Sequence, residues 1–325
     1  MKNFRKTLKR TVKINYRQML KTATEISIET GRARILVFFD MIYCAVKFGA
    51  DCNDYKKTEL YRADKEAKST YLTTETNRLI IEKYNDREMI DMFDRRSEFY
   101  RIYFKFIGRR WVDLNDIDNS RFSLFIKKYN PAIVKSSDRK LDIDTQIMNF
   151  DSIENLYGKY NDMISSNQTV IEEMLTQHPE MEKFNPQVFN SVKVYTFVKK
   201  KQAYILQVML KTEADGNEIL AFANTDGKIC TYGIDSDGRI YEKHPATDKF
   251  FEGFQIPMYN HLRDFVKSAA LLVQDAAYVC WDIAITPTGF ALINGNARPE
   301  VIQPTAGFNK GGNGILPIYR RYMDI

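Results

Sequence analysis

The sequence contains few cysteines and no cysteine pattern typical of a bound metal. Four cysteines occur among 325 residues, at Cys44, Cys52, Cys230 and Cys280. None of them stands in a CxxC or Cys/His spacing, so neither a structural zinc site nor a disulfide framework is indicated. Free thiols of this kind fit a reducing compartment, and we therefore expect a cytoplasmic protein.

Long apolar runs are also absent. No run of about 18 apolar residues occurs, and the first residues lack the apolar centre of a signal peptide. The most apolar stretch, residues 35–46, is short and contains Asp40, so it predicts a buried helix. We expect neither secretion nor a membrane span. With 44% apolar residues, the chain is still able to bury the core of two or three subdomains.

Acidic residues are missing from the first 21 positions, where eight basic residues accumulate: Lys2, Arg5, Lys6, Lys9, Arg10, Lys13, Arg17 and Lys21. A basic run of this kind can bind anionic lipid or nucleic acid, although it more often forms the solvated face of a helix. No zinc finger, RNP motif or glycine-rich RNA clamp accompanies it, so no nucleic-acid partner is expected. A peripheral membrane contact through this segment stays open.

Glycine and proline are sparse in residues 1–85, and their composition predicts a helical region. A further helix is predicted from Asp94 to Ile107, ending at Gly108. Beyond it come short β-like runs, and the runs paired across the turns 199–202 and 213–216 predict an antiparallel sheet. The predicted strands are 131–135, 171–175, 192–198, 203–210 and 218–223, followed by a helix at 259–273. The fold class is therefore α+β.

The strongest local pattern lies between Ala277 and Ala297. Two apolar runs flank the turn residues Thr-Pro-Thr-Gly, which predicts a β-hairpin. With a three-residue loop, Asp282 pairs directly with Asn294, and alternation places Asn296 on the same face. Three oxygen-bearing side chains would then converge on one patch of two apolar strands.

A carboxylate among apolar neighbours is costly unless it is paired or binds a cation. Magnesium prefers oxygen ligands and commonly shares them with substrate phosphates. We therefore predict that Asp282, Asn294 and Asn296 bind Mg²⁺. The alternative is that Asp282 only accepts hydrogen bonds from the two amides.

Around this hairpin, the strings Trp281-Asp282 through Gly289 and Asn294 through Pro299 resemble the metal-binding hairpin of the sugar-transfer-associated ATP-grasp family, relatives of amino-acid ligases. Further strings resemble that family in the same order along nearly the whole chain. They are Asp54-Tyr55, Arg96-Ser-Glu-Phe99, Gly108-Arg109, Pro131 through Lys135, Glu172-Glu173, Gln177 through Met181, Asn190 through Lys193, Asn224 with Gly227, and Gly253 with Ile256-Pro257.

The resemblance implies an ATP-grasp fold, with two α+β subdomains that hold a nucleotide and an N-terminal helical extension. The boundaries expected are 1–85 for the helical region, 86–168 for the first subdomain and 169–325 for the second. The cofactors implied are ATP and Mg²⁺.

The resemblance also implies a role for each matching residue. Lys135 would reach the ATP phosphates, and Arg96 would stand where the family usually has a nucleotide-binding lysine. Glu172 and Glu173 would hold the adenine edge and the ribose. Two residues would act in catalysis. Lys193 would bind the nucleotide and neutralise its terminal phosphate, and Arg298 would steady an acyl phosphate or the acceptor.

The activity implied is ATP-dependent ligation of a carboxylate to an amine, with an amino acid and a sugar acid or amino sugar as substrates in surface polysaccharide synthesis. Two departures from the family pattern leave an alternative open. Asn294 stands where relatives generally have a glutamate, and the loop after Lys135 lacks glycine. The alternative is a degenerate ATP-grasp protein that binds nucleotide or a partner without turnover.

Overall fold

The computed structural model describes residues 15–141, 145–151, 154–307 and 312–325. Its helices are α1 (Tyr16–Thr30), α2 (Arg34–Phe48), α3 (Cys52–Lys57), α4 (Lys65–Lys68), α5 (Thr74–Tyr84), α6 (Arg87–Asp94), α7 (Arg96–Ile102), α8 (Phe104–Ile107), α9 (Asn119–Lys128), α10 (Leu156–Ser165), α11 (Pro179–Glu182), α12 (Tyr259–Ala270) and α13 (Leu316–Tyr322). Its strands are β1 (Trp111–Asp113), β2 (Ala132–Lys135), β3 (Gln146–Met148), β4 (Val170–Glu173), β5 (Ser191–Lys199), β6 (Gln202–Ala214), β7 (Asn217–Phe222), β8 (Gly233–Asp235), β9 (Ile240–Tyr241), β10 (Tyr278–Thr286) and β11 (Gly289–Asn296).

The chain divides into two compact units, one of residues 1–84 with 298–325 and one of residues 85–297. The described part of the first unit is helical. Its C-terminal segment pairs with the loop before α5, where the side chain of Gln303 bonds both the backbone N–H and the carbonyl of Leu72. Most of the basic N-terminal run, residues 1–14, lies outside the described residues. The boundaries expected from the sequence, 1–85, 86–168 and 169–325, remain predictions.

The N-terminal helices form because apolar positions recur at helical spacing. Met19, Ala23 and Ile26 on α1 are buried against Val37 and Met41 on α2. The predicted helix at 35–46 is confirmed as the central part of α2, but its burial was only partly predicted: Val37, Met41, Cys44 and Ala45 are buried, whereas Ile35, Leu36, Phe39 and Val46 are exposed. No helix among the described ranges is both long enough and apolar enough to cross a membrane.

The second unit contains two antiparallel sheets. The smaller sheet has the strand order β1-β4-β2-β3, and the larger has the order β11-β10-β5-β6-β7-β8-β9. The predicted strands and the antiparallel pairing are confirmed to within a few residues. The α+β class is confirmed as well. The predicted helix 94–107 is interrupted, because Tyr103 adopts a non-helical conformation between α7 and α8.

An aromatic cluster supports the β10–β11 hairpin from behind. Trp281 packs against Phe93 and Tyr103, with ring centroids 5.8 and 5.4 Å away, and its indole N–H donates to Thr196. Because residues alternate along a strand, the burial of Trp281 on this side directs Asp282 to the opposite face. The core on one face of the sheet thus fixes which side chains line the other.

Candidate active site

The hairpin has the predicted pairing but a different turn. Thr286 pairs with Gly289, so the loop contains two residues and not the three that we expected. An irregularity between Asp282 and Ile283 adds one residue, Ile293, to the partner strand. This β-bulge shifts the register by one position, and Asp282 faces Asn294 as predicted.

Asp282 lies at the centre of a polar row that crosses several strands of the large sheet. Its Oδ1 accepts a hydrogen bond from the hydroxyl of Ser191 on β5 at 2.5 Å. Its Oδ2 lies 3.4 Å from the ammonium of Lys211 on β6. The backbone of Asp282 pairs with Lys193 on β5, so the Lys193 side chain belongs to the same face. The predicted residues Lys193, Asp282 and Asn294 are therefore brought together.

Glu218 on β7 completes this row. Its two carboxylate oxygens bind Lys193 at 2.6 Å and Lys211 at 3.1 Å. The negative charge of Asp282 is the main reason why the pKa of Lys211 lies above its usual value. Burial opposes ionisation of Glu218, yet the charges of Lys211 and Lys193 hold its pKa below the usual value. Both pKa shifts favour the charged forms of Lys211 and Glu218.

The side chain of Asn294 presents an unused oxygen. Its Oδ1 is buried and has no hydrogen-bond partner among the described residues. An orphaned amide oxygen beside a carboxylate fits a cation that prefers oxygen ligands. Asn296 is exposed and belongs to the same face, two residues further along β11. The set of one carboxylate and two amides thus fits Mg²⁺, while no cluster of three or more His, Cys, Asp or Glu side chains suited to a metal occurs in the described ranges.

Glu172 is the centre of a second, fully buried cluster on the smaller sheet. Its Oε2 accepts from the ammonium of Lys135 at 2.8 Å and from Nε of Arg109 at 2.7 Å, and its Oε1 accepts from the hydroxyl of Tyr100. Arg109 also donates to the carbonyl of Leu292 on β11 at 2.7 Å. The cluster is thereby linked to the hairpin that carries Asp282 and Asn294.

The charges within this cluster are balanced by direct contacts. Burial alone would raise the pKa of Glu172, but the charges and hydrogen bonds of Lys135 and Arg109 hold it far below its usual range. Burial likewise opposes the charged form of Arg109, whereas Tyr100 and Glu172 raise its pKa. Glu172 is therefore an anion whose oxygens are already engaged by protein cations.

The remaining predicted residues occupy different surroundings. Arg96 begins α7 and donates from Nε to the carbonyl of Ser136, in the loop after β2, at 2.8 Å. Glu173 accepts from the backbone N–H of Arg110 at 3.0 Å. Arg298 belongs to the other compact unit. The nucleotide-binding, metal-binding and catalytic roles of all these residues stay predictions.

Four residues of the site carried no assigned role in the sequence analysis: Arg109, Ser191, Lys211 and Glu218. Lys211 gives the clearest signal, because it is a charged residue that follows the apolar run Val208 to Leu210 within a strand. A charge at such a position needs a partner, which the neighbouring strands supply. Which residues pair with Lys211 depends on the strand order, and the local sequence does not specify that order.

The sequence also identifies the family of this chain. A family model described as sugar-transfer associated ATP-grasp matches residues 124–312. This range covers more than half of the chain, and the protein belongs to that family. The predicted resemblance is confirmed. The comparison with curated protein sequences gave no match.

Several solved structures are similar to the chain at low sequence identity. One is the ATP-grasp ligase PsnB complexed with minimal precursor, at 14% identity and a TM-score of 0.42, covering 67% of this chain and 56% of that one. Another is N5-carboxyaminoimidazole synthase from Aspergillus clavatus in complex with ADP, at 7% identity and a TM-score of 0.44, covering 66% of this chain and 46% of that one. A third is D-alanine–D-alanine ligase from Bacillus anthracis, at 13% identity and a TM-score of 0.38, covering 64% of this chain and 57% of that one. The chain thus spans about half the length of each of these structures.

Proposed function

We propose that the protein is an ATP-dependent ligase that joins a carboxylate to an amine through an acyl phosphate. The observation that carries this proposal is the pairing of Asp282 with Asn294, whose buried Oδ1 has no hydrogen-bond partner in the described part of the chain. The cations Lys193 and Lys211 lie on the same face as Asp282. A patch with oxygen ligands and fixed cations suits a metal-bound polyphosphate. Family membership supports the same assignment.

In the proposed reaction, a carboxylate oxygen of the substrate attacks the γ-phosphorus of ATP, and ADP leaves. The amine nitrogen then attacks the acyl carbon, loses a proton, and displaces inorganic phosphate. Lys193 and Lys135 would neutralise charge on the phosphates, and Arg298 would steady the acyl phosphate. Asp282, Asn294 and Asn296 would hold Mg²⁺, which neutralises phosphate charge when bound.

No protein nucleophile is needed for this chemistry. Cys280 occupies the same face as Asp282, two residues before it on β10. Burial raises the pKa of its thiol to about 12, so the thiol is protonated at neutral pH and is a poor nucleophile. The side chains of the face therefore serve to bind and to align the reactants.

For the substrates, we propose an amino acid and a sugar acid or amino sugar, used in surface polysaccharide synthesis in the cytoplasm. The sugar-transfer association in the family description supports this choice. Glu173 would hold the adenosine and Arg96 would bind the nucleotide, while Glu172, whose oxygens bind Lys135, Arg109 and Tyr100, would keep these side chains in place. We keep the proposed subdomain boundaries at 86–168 and 169–325.

A calorimetric titration of ATP with and without Mg²⁺, followed by a phosphate-release assay with amino acids and sugar acids, tests this function. We expect Mg²⁺-dependent binding and phosphate release that requires both a carboxylate and an amine. Absence of binding at millimolar ATP would contradict the proposal.

The second candidate is a degenerate ATP-grasp protein that binds nucleotide or a partner without turnover. Asn294 favours it, because an amide in place of a carboxylate leaves the metal site with one fewer negative charge. Binding of Mg²⁺ and ATP without phosphate release, for every carboxylate and amine pair tested, would identify this case.

A further inference from the structure

The outward side of helix α2 is lined by apolar residues. Positions three, four and seven residues apart share one side of a helix, and on α2 six such positions are apolar. They form what we call the apolar face of α2: Ile35, Leu36, Phe39, Ile42, Tyr43 and Val46. Four of the six are exposed, with 51 to 68% of their surface accessible, and Ile42 and Tyr43 are half-buried. The opposite side of the helix packs into the core of this unit.

Exposed apolar side chains are concentrated on the first two helices. Of the 17 large apolar residues that are exposed within the described ranges, seven lie on α1 and α2, which contain 15 residues each. They are Tyr16, Leu20 and Ile28 on α1, and Ile35, Leu36, Phe39 and Val46 on α2. Single exposed apolar residues are normal on a protein surface, whereas a contiguous group marks an interaction surface. The apolar face of α2 is such a group.

The part of the chain that carries this face is strongly basic. Residues 1–49 contain 11 basic and three acidic residues, whereas the rest of the chain contains 37 basic and 39 acidic residues. Asp40, the acidic residue of α2, is paired with Lys68 at 2.6 Å. Arg34 and Lys47, near the two ends of α2, are exposed. The positive charge of the protein is therefore gathered in the same segment as its exposed apolar residues, which favours an anionic partner.

Tyr43 and Lys47 show how the edge of the face is built. The ammonium of Lys47 donates to the hydroxyl of Tyr43 at 2.9 Å and lies 5.2 Å from the centroid of its ring. Tyrosine and lysine both combine an apolar body with a polar end, and both suit the boundary between an apolar layer and water. An anionic phospholipid surface provides this boundary, because its acyl chains accept apolar side chains and its headgroups attract cations.

We propose that the apolar face of α2 inserts into the surface of an anionic phospholipid membrane, with the basic residues of the same segment on the headgroups. The helix lies in the plane of the membrane and does not cross it. Its 15 residues extend over about 22 Å, less than the roughly 30 Å of a hydrocarbon core. The proposal goes beyond the ligase function, since it involves no residue of the candidate active site.

The test is flotation of the full chain with vesicles of phosphatidylcholine mixed with phosphatidylglycerol, and with vesicles of phosphatidylcholine alone. We expect wild type to bind the mixed vesicles at low salt, and to bind them less at high salt because salt screens the headgroup charge. Binding to phosphatidylcholine alone should be weaker. The double variant Leu36→Ser/Phe39→Ser should weaken binding to the mixed vesicles by about tenfold or more, because it removes two apolar side chains from the inserted face.

Leu124→Ser is the matched control, since Leu124 on α9 is 68% exposed, as Leu36 is. It should leave vesicle binding unchanged. A second measurement places a fluorescent probe on the face itself. The emission of Phe39→Trp should move to shorter wavelength when mixed vesicles are added, whereas that of Leu124→Trp should not. Thermal melts check folding, and every variant should melt close to wild type because the replaced side chains are exposed.

Three results would overturn the proposal. One is the absence of vesicle binding by wild type at low salt. Another is equal binding by wild type and Leu36→Ser/Phe39→Ser, with no shift in the emission of Phe39→Trp, since the basic residues would then bind alone. The third is a wild-type dimer, seen by analytical ultracentrifugation, that the double variant dissociates and that binds no vesicles, which would assign the face to a second copy of the chain.

The ligase proposal is tested separately, because Mg²⁺-ATP binding and phosphate release are measured without vesicles. Binding of mixed vesicles that depends on Leu36 and Phe39, in a protein that does not bind Mg²⁺-ATP, would support the membrane contact and contradict the nucleotide function. Binding of Mg²⁺-ATP without binding of vesicles would support the nucleotide site and overturn the membrane contact.

Discussion

Lys135 and Glu172 form an ion pair across the two central strands of the smaller sheet, with 2.8 Å between Nζ and Oε2. Arg109 bonds the same oxygen, and all three side chains are buried. Replacing Glu172 by Gln would leave two cations without their counter-ion. We expect Glu172→Gln to lower the free energy of unfolding by about 3 to 5 kcal/mol at pH 7, measured by urea denaturation.

Glu98→Gln is the control for that measurement. Glu98 pairs with Arg95 on the surface, where both side chains are largely solvated. An exposed pair contributes about 0 to 1 kcal/mol. A similar loss in the two variants would contradict the assigned importance of the buried cluster.

The same pair predicts a pH dependence. The pKa of Glu172 in the folded protein lies far below its ordinary value of 4.5, so its contribution to stability is complete above that value. The contribution is lost as the pH falls from about 4.5 toward the folded pKa. The difference in unfolding free energy between wild type and Glu172→Gln should therefore narrow from pH 7 to pH 3. A constant difference would show that Glu172 does not titrate as expected.

Much of the larger sheet was predictable, because its strands are apolar runs separated by short polar turns. The turns near Lys200 and Asp215 both require a positive φ, which is found at each position. The length of the hairpin loop was not predictable from the same signals. The register of Asp282 depends on a bulge at Ile293, and packing against the aromatic rings behind the sheet determines such bulges.

Spacing alone predicted the site only where its residues are neighbours along the hairpin, and Lys193 on β5 was predicted through the family resemblance. Asp282 and Asn294 lie on two strands with one short connection, so alternation alone places them together. Arg139 donates a hydrogen bond to the carbonyl of Gly295 on β11, which is 156 positions away in the chain. Contacts of this kind depend on the order of strands and loops in the fold, and no local periodicity encodes them.

The carboxylate of Asp282 offers a direct test of the metal site. We expect Asp282→Ala to abolish the increase in ATP affinity that Mg²⁺ produces, as measured by calorimetry. Binding without Mg²⁺ should persist, because the cations Lys193 and Lys211 remain. Asp237→Ala, at an exposed turn position, is the control and should retain the Mg²⁺ effect. If the Asp282 variant retained that effect, the metal would have to lie elsewhere.

Gly108 ends α8 and lies against β11 of the hairpin, at a position that excludes side chains. Its φ is +66°, and an added Cβ would lie 2.6 Å from the Cβ of Ala291 and 2.9 Å from the carbonyl oxygen of Phe290. Gly216 has a similar φ of +76° with no atom near the added carbon. Gly216→Ala should lower the free energy of unfolding by about 1 to 2 kcal/mol, because the alanine is held in the left-handed conformation. Gly108→Ala should cost clearly more in urea denaturation, and equal losses would contradict the close approach.

Asn294 decides between a weakened ligase and a protein without turnover. Asn294→Glu places a negative charge opposite Asp282, whose own carboxylate lies 3.4 Å from the ammonium of Lys211. If the site is a weakened Mg²⁺ site, this variant should bind Mg²⁺-ATP about tenfold more tightly and release phosphate faster, since an added carboxylate is a stronger ligand than an amide.

Asn294→Gln is the matched control for this change, because it has the length of glutamate without the charge. We expect Asn294→Gln to give neither tighter Mg²⁺-ATP binding nor faster phosphate release, because the amide supplies no additional charge to the metal. Calorimetry and a phosphate-release assay on the three proteins provide the measurement. Tighter Mg²⁺-ATP binding in Asn294→Glu without any phosphate release would place the loss of turnover outside the metal site, and would favour the binding protein over the ligase.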